Sequence, residues 1–262
     1  MGKSDISAVI ITYNEAPSIE RCLSSLNGIA DEIIVVDSFS TDSTEEICRK
    51  FNVKFFSHEF TGYMSQKNFS LGLASNNYIL SLDADEALSD ELRVSISEIK
   101  KDLSYDGYIF NRLGFFNGQW IKHSSWYPDP QLRLFNRESG SWGPSNIHER
   151  FILRPGKKIK RISGDLLHWP YRSAEDFSSR IIIYSGIAAQ DLFEKGKNVS
   201  ALTPYLHYCW RFIKSYFINL GLLDGRNGWT LCSIGASSSF LKYSQLRKLN
   251  RTAKLKQANA KL

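Results

Sequence analysis

Several features that would mark common protein classes are missing from this sequence. The four cysteines (Cys22, Cys48, Cys209 and Cys232) are scattered and form no CxxC pair, which argues against a zinc site or a disulfide framework and favours reduced thiols. No uninterrupted apolar run reaches the roughly 18 residues that a membrane-spanning helix needs. The N-terminal residues lack the apolar core and small-residue cleavage site of a signal peptide. We therefore expect a cytoplasmic protein that does not span a bilayer.

Acidic residues are missing after residue 240, and the whole chain has a formal net charge of +6. After residue 240 the basic residues are Lys242, Arg247, Lys248, Arg251, Lys254, Lys256 and Lys261. Such a segment can attract nucleic acid, anionic lipid or a phosphorylated substrate. Because it follows aromatic-rich helical segments, anionic lipid is favoured and nucleic acid is not expected.

The first hundred residues alternate between strand and helix patterns. Strands are predicted over Ile6–Thr12, Glu32–Asp37, Val53–Phe56 and Tyr78–Leu82, and helices from near Pro17 and over Ser43–Phe51 and Tyr63–Ala74. This alternation predicts an α/β fold with a mostly parallel sheet and right-handed crossovers. Ligands bind such sheets at the carboxyl ends of the strands. Those ends carry Tyr13–Glu15, Asp37 and Asp83–Asp85.

The pattern changes beyond residue 107. Short strands are predicted over Tyr108–Arg112, Gln131–Asn136 and Ile147–Leu153, followed by helices from Ser173, over Tyr205–Leu220 and over Trp229–Leu246. In the first of these helices, Phe177, Ile181, Tyr184 and Ile187 are predicted to share one face. We expect an α/β domain over residues 1–172 and a helical extension over residues 173–262.

Asp83 and Asp85 directly follow the predicted fourth strand. Two carboxylates at this spacing on a strand-to-loop turn can face one hard cation, and Mg²⁺ or Mn²⁺ held in that way can bridge the oxygens of a diphosphate. Acids after a strand more often mark a solvated turn. The position in a βα array, with Asp37 closing the second strand, favours the metal site.

Several motifs in order resemble one family. Ala8–Glu15 (AVIITYNE), Ile33–Thr44 (IIVVDSFSTDST), Gln66–Asn68 (QKN) and Tyr78–Glu86 (YILSLDADE) resemble the family 2 glycosyltransferases of the GT-A fold. Trp126–Phe135 (WYPDPQLRLF), Ile147–Glu149 (IHE) and Asp165–His168 (DLLH) resemble the bacterial subgroup that contains lipopolysaccharide inner-core β-glucosyltransferases. The resemblance covers roughly residues 5–170.

The resemblance implies roles for the residues at the strand ends. Thr12, Tyr13 and Glu15 would cradle the nucleotide base, and Asp37 would bind the base or ribose. Asp42 could join them or could cap a helix.

Further along the chain, the resemblance implies a diphosphate and metal site. Lys67 would balance diphosphate charge, with a solvated surface lysine as the alternative. Asp83 and Ala84 would contact the ribose or metal, and Asp85 would bind the metal. His168 is a possible further ligand or a structural histidine.

The resemblance also points to a catalytic base. An inverting transfer needs a carboxylate that accepts the proton of the attacking hydroxyl. Glu149 is the first candidate and Asp129 the second, while a salt-bridged strand residue is the alternative for Glu149.

Four more residues, Trp126, Tyr127, Gln131 and Arg133, would shape the sugar sites, although Trp126 and Tyr127 could equally belong to the core.

The activity that the resemblance implies is transfer of a hexose, such as glucose, from a nucleotide-sugar with Mn²⁺ or Mg²⁺. UDP-sugars are the expected nucleotide-sugars, and the acceptor would be a saccharide or lipid-linked glycan such as lipopolysaccharide core. The expected location is the inner face of the cell membrane, bound peripherally. A nucleotidyltransferase usually has a Gly- and Lys/Arg-rich loop after its first strand, which is absent here. A carbohydrate-binding module would leave Asp37, Asp83 and Asp85 without a role.

Overall fold

The computed structural model describes residues 5–143, 149–171 and 173–259. The chain divides into two compact units, the first built from residues up to 113 together with 129–169, and the second from 114–128 together with 170 onward. The second unit therefore includes the segment Gly114–Pro128, which the predicted boundary at residue 172 assigns to the α/β domain.

In chain order the regular elements are β1 (Ile6–Thr12), α1 (Ala16–Ser25), β2 (Glu32–Asp37), α2 (Thr44–Cys48), β3 (Lys54–Ser57), α3 (Tyr63–Leu73), β4 (Tyr78–Asp83), β5 (Glu86–Leu88), α4 (Asp90–Ile99), β6 (Gly107–Phe116), β7 (Gln119–Ile121), β8 (Asp129–Asn136), β9 (Gly140–Trp142), β10 (Phe151–Leu153), β11 (Ile159–His168), α5 (Ala174–Glu194), α6 (Thr203–Ile213) and α7 (Gly225–Asn259). A π-helical turn (Lys214–Ile218) extends α6, and a 3₁₀ turn (Gly221–Asp224) precedes α7.

The main sheet has the strand order β3-β2-β1-β4-β8-β6-β11-β5. The first four strands are parallel, whereas β8 pairs antiparallel with β4. The register sets Thr12 opposite Asp37 and Ile11 opposite Asp83, so β1, β2 and β4 end at nearly the same level. The predicted α/β class is confirmed, but the sheet is mixed and not mostly parallel, because the pairings of β4 with β8, β8 with β6, β6 with β7 and β11 with β5 are antiparallel. The acid-bearing ends of β1, β2 and β4 lie along one edge.

Alternating side chains of β1 pack on the two faces of the sheet. Ile6, Ala8 and Ile10 belong to one apolar cluster, which also contains Ile19 of α1. Val9 belongs to a cluster on the other side. A strand buried on both faces reads as a nearly continuous apolar run, which is why its bounds could be read from the sequence.

Two elements near the strand ends have no counterpart in the sequence prediction. Helix α4 begins after Ser89, whose hydroxyl accepts a hydrogen bond from Leu92 N at 3.2 Å. Strand β11 pairs antiparallel with β5, so that His168 lies opposite Glu86. These elements bring a histidine distant in sequence beside the Asp83–Glu86 turn.

The helices of the second unit differ from the predicted pattern. Phe177, Ser185 and Ala189 are the buried positions of α5, whereas Tyr184 and Ile187 are exposed. The predicted face therefore includes both buried and exposed apolar side chains. Across the described ranges, no helix has the length and apolar character needed to traverse a bilayer.

Candidate functional site

The loops that follow β1 and β2 are joined by hydrogen bonds. Asn14 N donates to Ser40 Oγ at 2.8 Å, and Thr41 N donates to Asn14 Oδ1 at 2.8 Å. Glu15 N donates to Thr44 Oγ1 at 2.9 Å. Asn14 has φ 54°, a left-handed conformation that asparagine adopts more readily than most residues. The segment predicted to cradle the base is thus fixed to the neighbouring loop.

Asp37 anchors the second of these loops. It is buried, and its Oδ2 accepts from Ser40 N at 2.7 Å while its Oδ1 accepts from Ser40 Oγ. The hydroxyl oxygen of Thr12 is also buried, and it has no hydrogen-bond partner in the part of the chain that the structure describes. A buried hydroxyl without a partner costs free energy, which a bound nucleotide would recover.

Asp42 supports the start of α2. Its Oδ1 accepts from Thr44 N at 3.0 Å and its Oδ2 accepts from Ala16 N at 3.1 Å. Burial alone would raise the pKa of Asp42, but the hydrogen bonds from Thr44 and Ala16 bring that pKa below its ordinary value. These contacts favour the capping alternative.

Lys67 connects two carboxylates inside the first unit. Its Nζ lies 3.0 Å from Asp83 Oδ1 and 3.2 Å from Glu149 Oε1. The ammonium also lies 4.7 Å from the ring centroid of Trp142. Only 3% of the side chain is exposed, so the solvated surface alternative does not hold.

Arg133 holds the other side of Asp83. Its NH2 atom donates to Asp83 Oδ2 at 2.7 Å and to Glu86 Oε1 at 2.6 Å. Asp83 N in turn donates to Glu86 Oε2 at 3.0 Å. Arg133 is therefore buried in an ion-pair network, and a direct contact with a sugar stays a prediction.

The charge state of Asp83 follows from this network. Burial by itself would raise the pKa of Asp83, but the guanidinium of Arg133 and then the ammonium of Lys67 hold that pKa far below its ordinary range. Asp83 is thus an anion at any physiological pH, with cations on both of its oxygens.

The network continues to Asp129. Arg112 NH1 lies 3.3 Å from Glu86 Oε1, and Arg112 Nε donates to Asp129 Oδ2 at 2.8 Å. Gln131 Nε2 donates to Asp129 Oδ1 at 2.7 Å. Both carboxylate oxygens of Asp129 are consequently engaged.

Asp85 lies on the turn between β4 and β5, beside the end of β11. His168 Nε2 is 3.4 Å from Asp85 Oδ2, and Trp169 N donates to Asp85 O at 3.0 Å. Arg21 of α1 stacks on the Trp169 ring, 3.5 Å from its centroid.

The structure does not bring the three predicted metal ligands, Asp83, Asp85 and His168, into one cluster. Within residues 5–143, 149–171 and 173–259, no group of three or more His, Cys, Asp or Glu residues is placed to hold a metal ion. The physical reason is that Lys67 and Arg133 occupy the carboxylate of Asp83. Asp85 and His168 remain as an adjacent pair.

Two predicted sugar-site residues lie elsewhere. Trp126 belongs to the second unit, where its ring contacts those of Phe116, Phe177 and Tyr171 in an apolar cluster. For Trp126, the core alternative therefore describes the observed packing. Tyr127 lies in the same segment and is partly buried. Ile147 and His148, which precede Glu149 in its motif, lie outside the described residues.

Comparison with known proteins bears on this arrangement. A family model described as "Glycosyl transferase family 2" matches residues 7–155, more than half of the chain. The chain belongs to glycosyltransferase family 2. It is therefore an enzyme that transfers a glycosyl group, and its sheet, in which four parallel strands are followed by β8 in the opposite direction, has the GT-A fold.

Relatives of this glycosyltransferase cover most of its length. An uncharacterized glycosyltransferase of Rickettsia bellii (strain RML369-C) is 33% identical over 94% of this chain and 87% of its own. The lipopolysaccharide core biosynthesis glycosyltransferase LpsC of Rhizobium meliloti (strain 1021) is 27% identical over 93% of this chain and 92% of its own. The solved structure of S. aureus TarS 1-349 with UDP is 16% identical, covers 95% of this chain and 92% of that chain, and has a TM-score of 0.44, too low to carry an argument.

Three charged residues near the site of this family 2 glycosyltransferase have no assigned role in the sequence prediction. They are Glu86, Arg112 and Arg21. Glu86 is part of the DADE motif, and its position after two aspartates could have indicated it. Arg112 and Arg21 lie on β6 and α1, and only the pairing of distant elements brings them to the β4–β5 turn.

Proposed function

We propose that this glycosyltransferase moves a hexose from a UDP-sugar to a lipid-linked glycan, such as lipopolysaccharide core, with inversion at the anomeric carbon. The observation that carries the proposal is the placement of Lys67 between Asp83 and Glu149 at the carboxyl edge of the sheet. This edge is where open α/β sheets bind their ligands. The choice of acceptor rests on the similarity to LpsC.

Glu149 is the better of the two candidate bases. A base needs an oxygen that can accept the proton of the attacking hydroxyl. Asp129 accepts from Arg112 on one oxygen and from Gln131 on the other. Glu149 contacts Lys67 through Oε1, and its side chain is 15% exposed. Lys67 would hold the carboxylate of Glu149 in position until it takes the proton.

The inverting mechanism follows from the number of available carboxylates. A double displacement needs a carboxylate nucleophile in addition to the acid–base group. Asp83, which shares Lys67 with Glu149, is neutralised by Lys67 and Arg133. With Asp83 and Asp129 engaged by cations, Glu149 is the proposed base for direct attack by the acceptor hydroxyl.

Asp85 and His168 fit a divalent cation. Mg²⁺ and related ions are commonly held by one or two protein ligands, with phosphate oxygens and waters as the others. Among the described residues, the surrounding carboxylates (Asp83, Asp85, Glu86, Asp129 and Glu149) outnumber the cations near them (Arg21, Lys67, Arg112 and Arg133) by one. When bound, the ion would stabilise charge on the departing diphosphate. Lys67 and Arg133 would keep Asp83 ionised beside it.

Turnover with a panel of nucleotide-sugars tests the proposal. The assay measures nucleoside diphosphate released with Mn²⁺ and membrane extract as the acceptor source. We expect release from UDP-sugars, loss of release in Glu149→Gln with nucleotide binding retained, and partial activity in Asp129→Asn. Release of pyrophosphate instead would indicate nucleotidyl transfer. If only Asp129→Asn loses turnover, the base is misassigned.

A lipid-linked acceptor lies at a membrane, and the second unit exposes a helical surface whose chemistry suits membrane binding. One stripe of α6 and its extension exposes Leu202, Leu206, Trp210, Ile213 and Phe217 at spacings of three or four residues. An apolar helical stripe with aromatic and basic neighbours is typical of helices that lie in the membrane interface.

Charge separation along the chain supports the same surface. After residue 194 lie 12 of the 33 basic residues but one of the 27 acids, Asp224, which is buried. Each basic side chain near an anionic surface contributes about 1 kcal/mol. The enzyme would thus bind peripherally at the inner face of the cell membrane, where it meets a lipid-linked acceptor.

Co-sedimentation with anionic vesicles tests the membrane surface. Trp210→Ala with Leu206→Ala should weaken binding, as should deletion of residues 247–262. Val94→Ala, which removes an exposed apolar side chain of α4 in the first unit, serves as a control and should bind as wild type. Unchanged co-sedimentation of both altered proteins would exclude this face as the anchor.

A further inference from the structure

Phe39 has a backbone conformation that is unfavourable for its side chain. Its φ is +61°, in the left-handed region. Glycine and asparagine adopt this region most readily. Bulky residues rarely do, because their Cβ atom approaches the neighbouring carbonyl oxygen. A phenylalanine held there is a strained position of the kind that clusters at ligand sites.

The loop around Phe39 enforces this conformation. On one side, Ser38 N donates to Thr12 O at 2.9 Å, and Ser38 Oγ accepts from Gln66 Nε2 at 3.1 Å. On the other side, Ser40 is bonded through both its N–H and its hydroxyl to Asp37. Hydrogen bonds therefore hold the residues before and after Phe39, and these bonds constrain the backbone of Phe39.

The ring of Phe39 does not contribute to the protein core. The residue is 60% exposed. The strain is therefore not offset by burial of the ring. An interaction that forms only when a ligand is bound would explain why a large apolar side chain occupies this position.

A second exposed aromatic side chain lies beside it. Tyr13 is 57% exposed and follows Thr12, which pairs with Asp37 in the sheet. The hydrogen bond from Asn14 N to Ser40 Oγ joins the residues next to each aromatic. Tyr13 and Phe39 thus emerge from two linked loops at the ends of adjacent parallel strands.

We propose that Phe39 is a donor-binding residue, whose ring stacks on the nucleobase of the nucleotide-sugar and, with Tyr13, frames it. The inference rests on the proposed function, because it assumes that a nucleotide occupies this edge of the sheet. Stacking of a base on an aromatic side chain contributes about 1–3 kcal/mol to binding, whichever base is bound. The strain at Phe39 would be retained for this contact.

A set of variants at one position separates the ring from the backbone strain. Phe39→Gly removes both, Phe39→Ala removes the ring but keeps a Cβ atom at positive φ, and Phe39→Trp keeps an aromatic face. We expect the Kd for UDP to rise about 5- to 100-fold in the Gly and Ala variants and to stay near wild type in Phe39→Trp. We expect the Tm of Phe39→Gly to equal or exceed that of Phe39→Ala, because glycine tolerates this conformation.

Isothermal titration calorimetry with UDP and with inorganic pyrophosphate supplies the readout. Pyrophosphate lacks the base, so its Kd should not change in any of the three variants. An unchanged Kd for UDP in a folded Phe39→Gly protein would overturn the inference. Equal weakening of UDP and pyrophosphate would also overturn it, because a general distortion of the loop would then be the cause. Failure of the wild-type protein to bind UDP would instead count against the proposed function.

Discussion

Replacement of Arg133 by methionine would remove the central cation of the buried network. In the wild-type protein, one guanidinium nitrogen of Arg133 contacts Asp83 at 2.7 Å and Glu86 at 2.6 Å. Without it, Asp83 keeps Lys67, and Glu86 keeps the longer 3.3 Å contact with Arg112. Methionine fills part of the volume but leaves the buried carboxylate of Glu86 and the partly exposed carboxylate of Asp83 undercompensated.

The magnitude follows from these contacts. Removing one partner of a buried ion pair costs about 3–5 kcal/mol, because the remaining charge has lost its compensation. A domain of ordinary stability has a free energy of unfolding of about 5–15 kcal/mol. Arg133→Met should therefore lose a large fraction of the free energy of unfolding of the first unit. The pKa of Asp83 should rise at the same time, since Arg133 is the largest contribution that lowers it.

Urea denaturation followed by circular dichroism measures the loss, with Arg49→Met as the matched control. Arg49 pairs with Glu45 on the surface, and its side chain is 69% exposed. Exposed pairs of this kind contribute about 0–1 kcal/mol. If Arg133→Met costs no more than Arg49→Met, the buried network does not stabilise the site in the way described.

Three further predictions concern other contacts. Asp85→Ala should abolish metal-dependent turnover while circular dichroism and Tm remain near wild type, and near-normal transfer would remove Asp85 from the metal site. Burial alone would raise the pKa of Glu32, but hydrogen bonds from Lys54, Ser7 and Ser75 lower that pKa from 4.5 to about 2. The contribution of Glu32 to the free energy of unfolding should therefore be complete above pH 4.5 and lost as the pH falls towards 2. Glu32→Gln should flatten this part of the acid unfolding curve. Gly164→Ala should lower Tm strongly, because Gly164 has φ +91° and an added Cβ would lie 2.2 Å from Leu92 N; an unchanged Tm would show that β11 can shift away from α4.

Strands β1, β2 and β4 of the parallel half could be read from the sequence because they are buried on both faces. The predicted bounds of β1 and β2 match the structure. Helix α7 was predicted to end at Leu246, and it continues to Asn259. Its C-terminal part carries few large apolar residues, so the periodic pattern fades before the helix does.

Strand β11 was missed for a different reason. Its segment Ile159–His168 is mostly polar and exposed at its beginning, and Gly164 interrupts it. It lies between β6 and β5 in the sheet, and β5 is a strand of three residues that has no pattern of its own. Such a pairing is decided by tertiary contacts, which local periodicity does not contain.

The sequence indicated which residues belong to the candidate site, but not which cation pairs with which carboxylate. Asp83 and Asp85 could be located because an acidic motif directly after an apolar strand is visible in sequence, whereas Lys67 in α3 and Glu149 before β10 were indicated by the resemblance to the family. Which carboxylate each cation neutralises depends on side-chain directions across several elements. For that reason the engagement of Asp83 by Lys67 and Arg133 could not be foreseen.

A crystal structure of the protein with UDP and Mn²⁺ tests the central claim most directly. The account predicts the diphosphate at the carboxyl edge of β1, β2 and β4, with the ion bound by Asp85 and His168 while Asp83 stays paired with Lys67 and Arg133. Nucleotide bound away from this edge, or an ion that leaves Asp85 and His168 free, would contradict it.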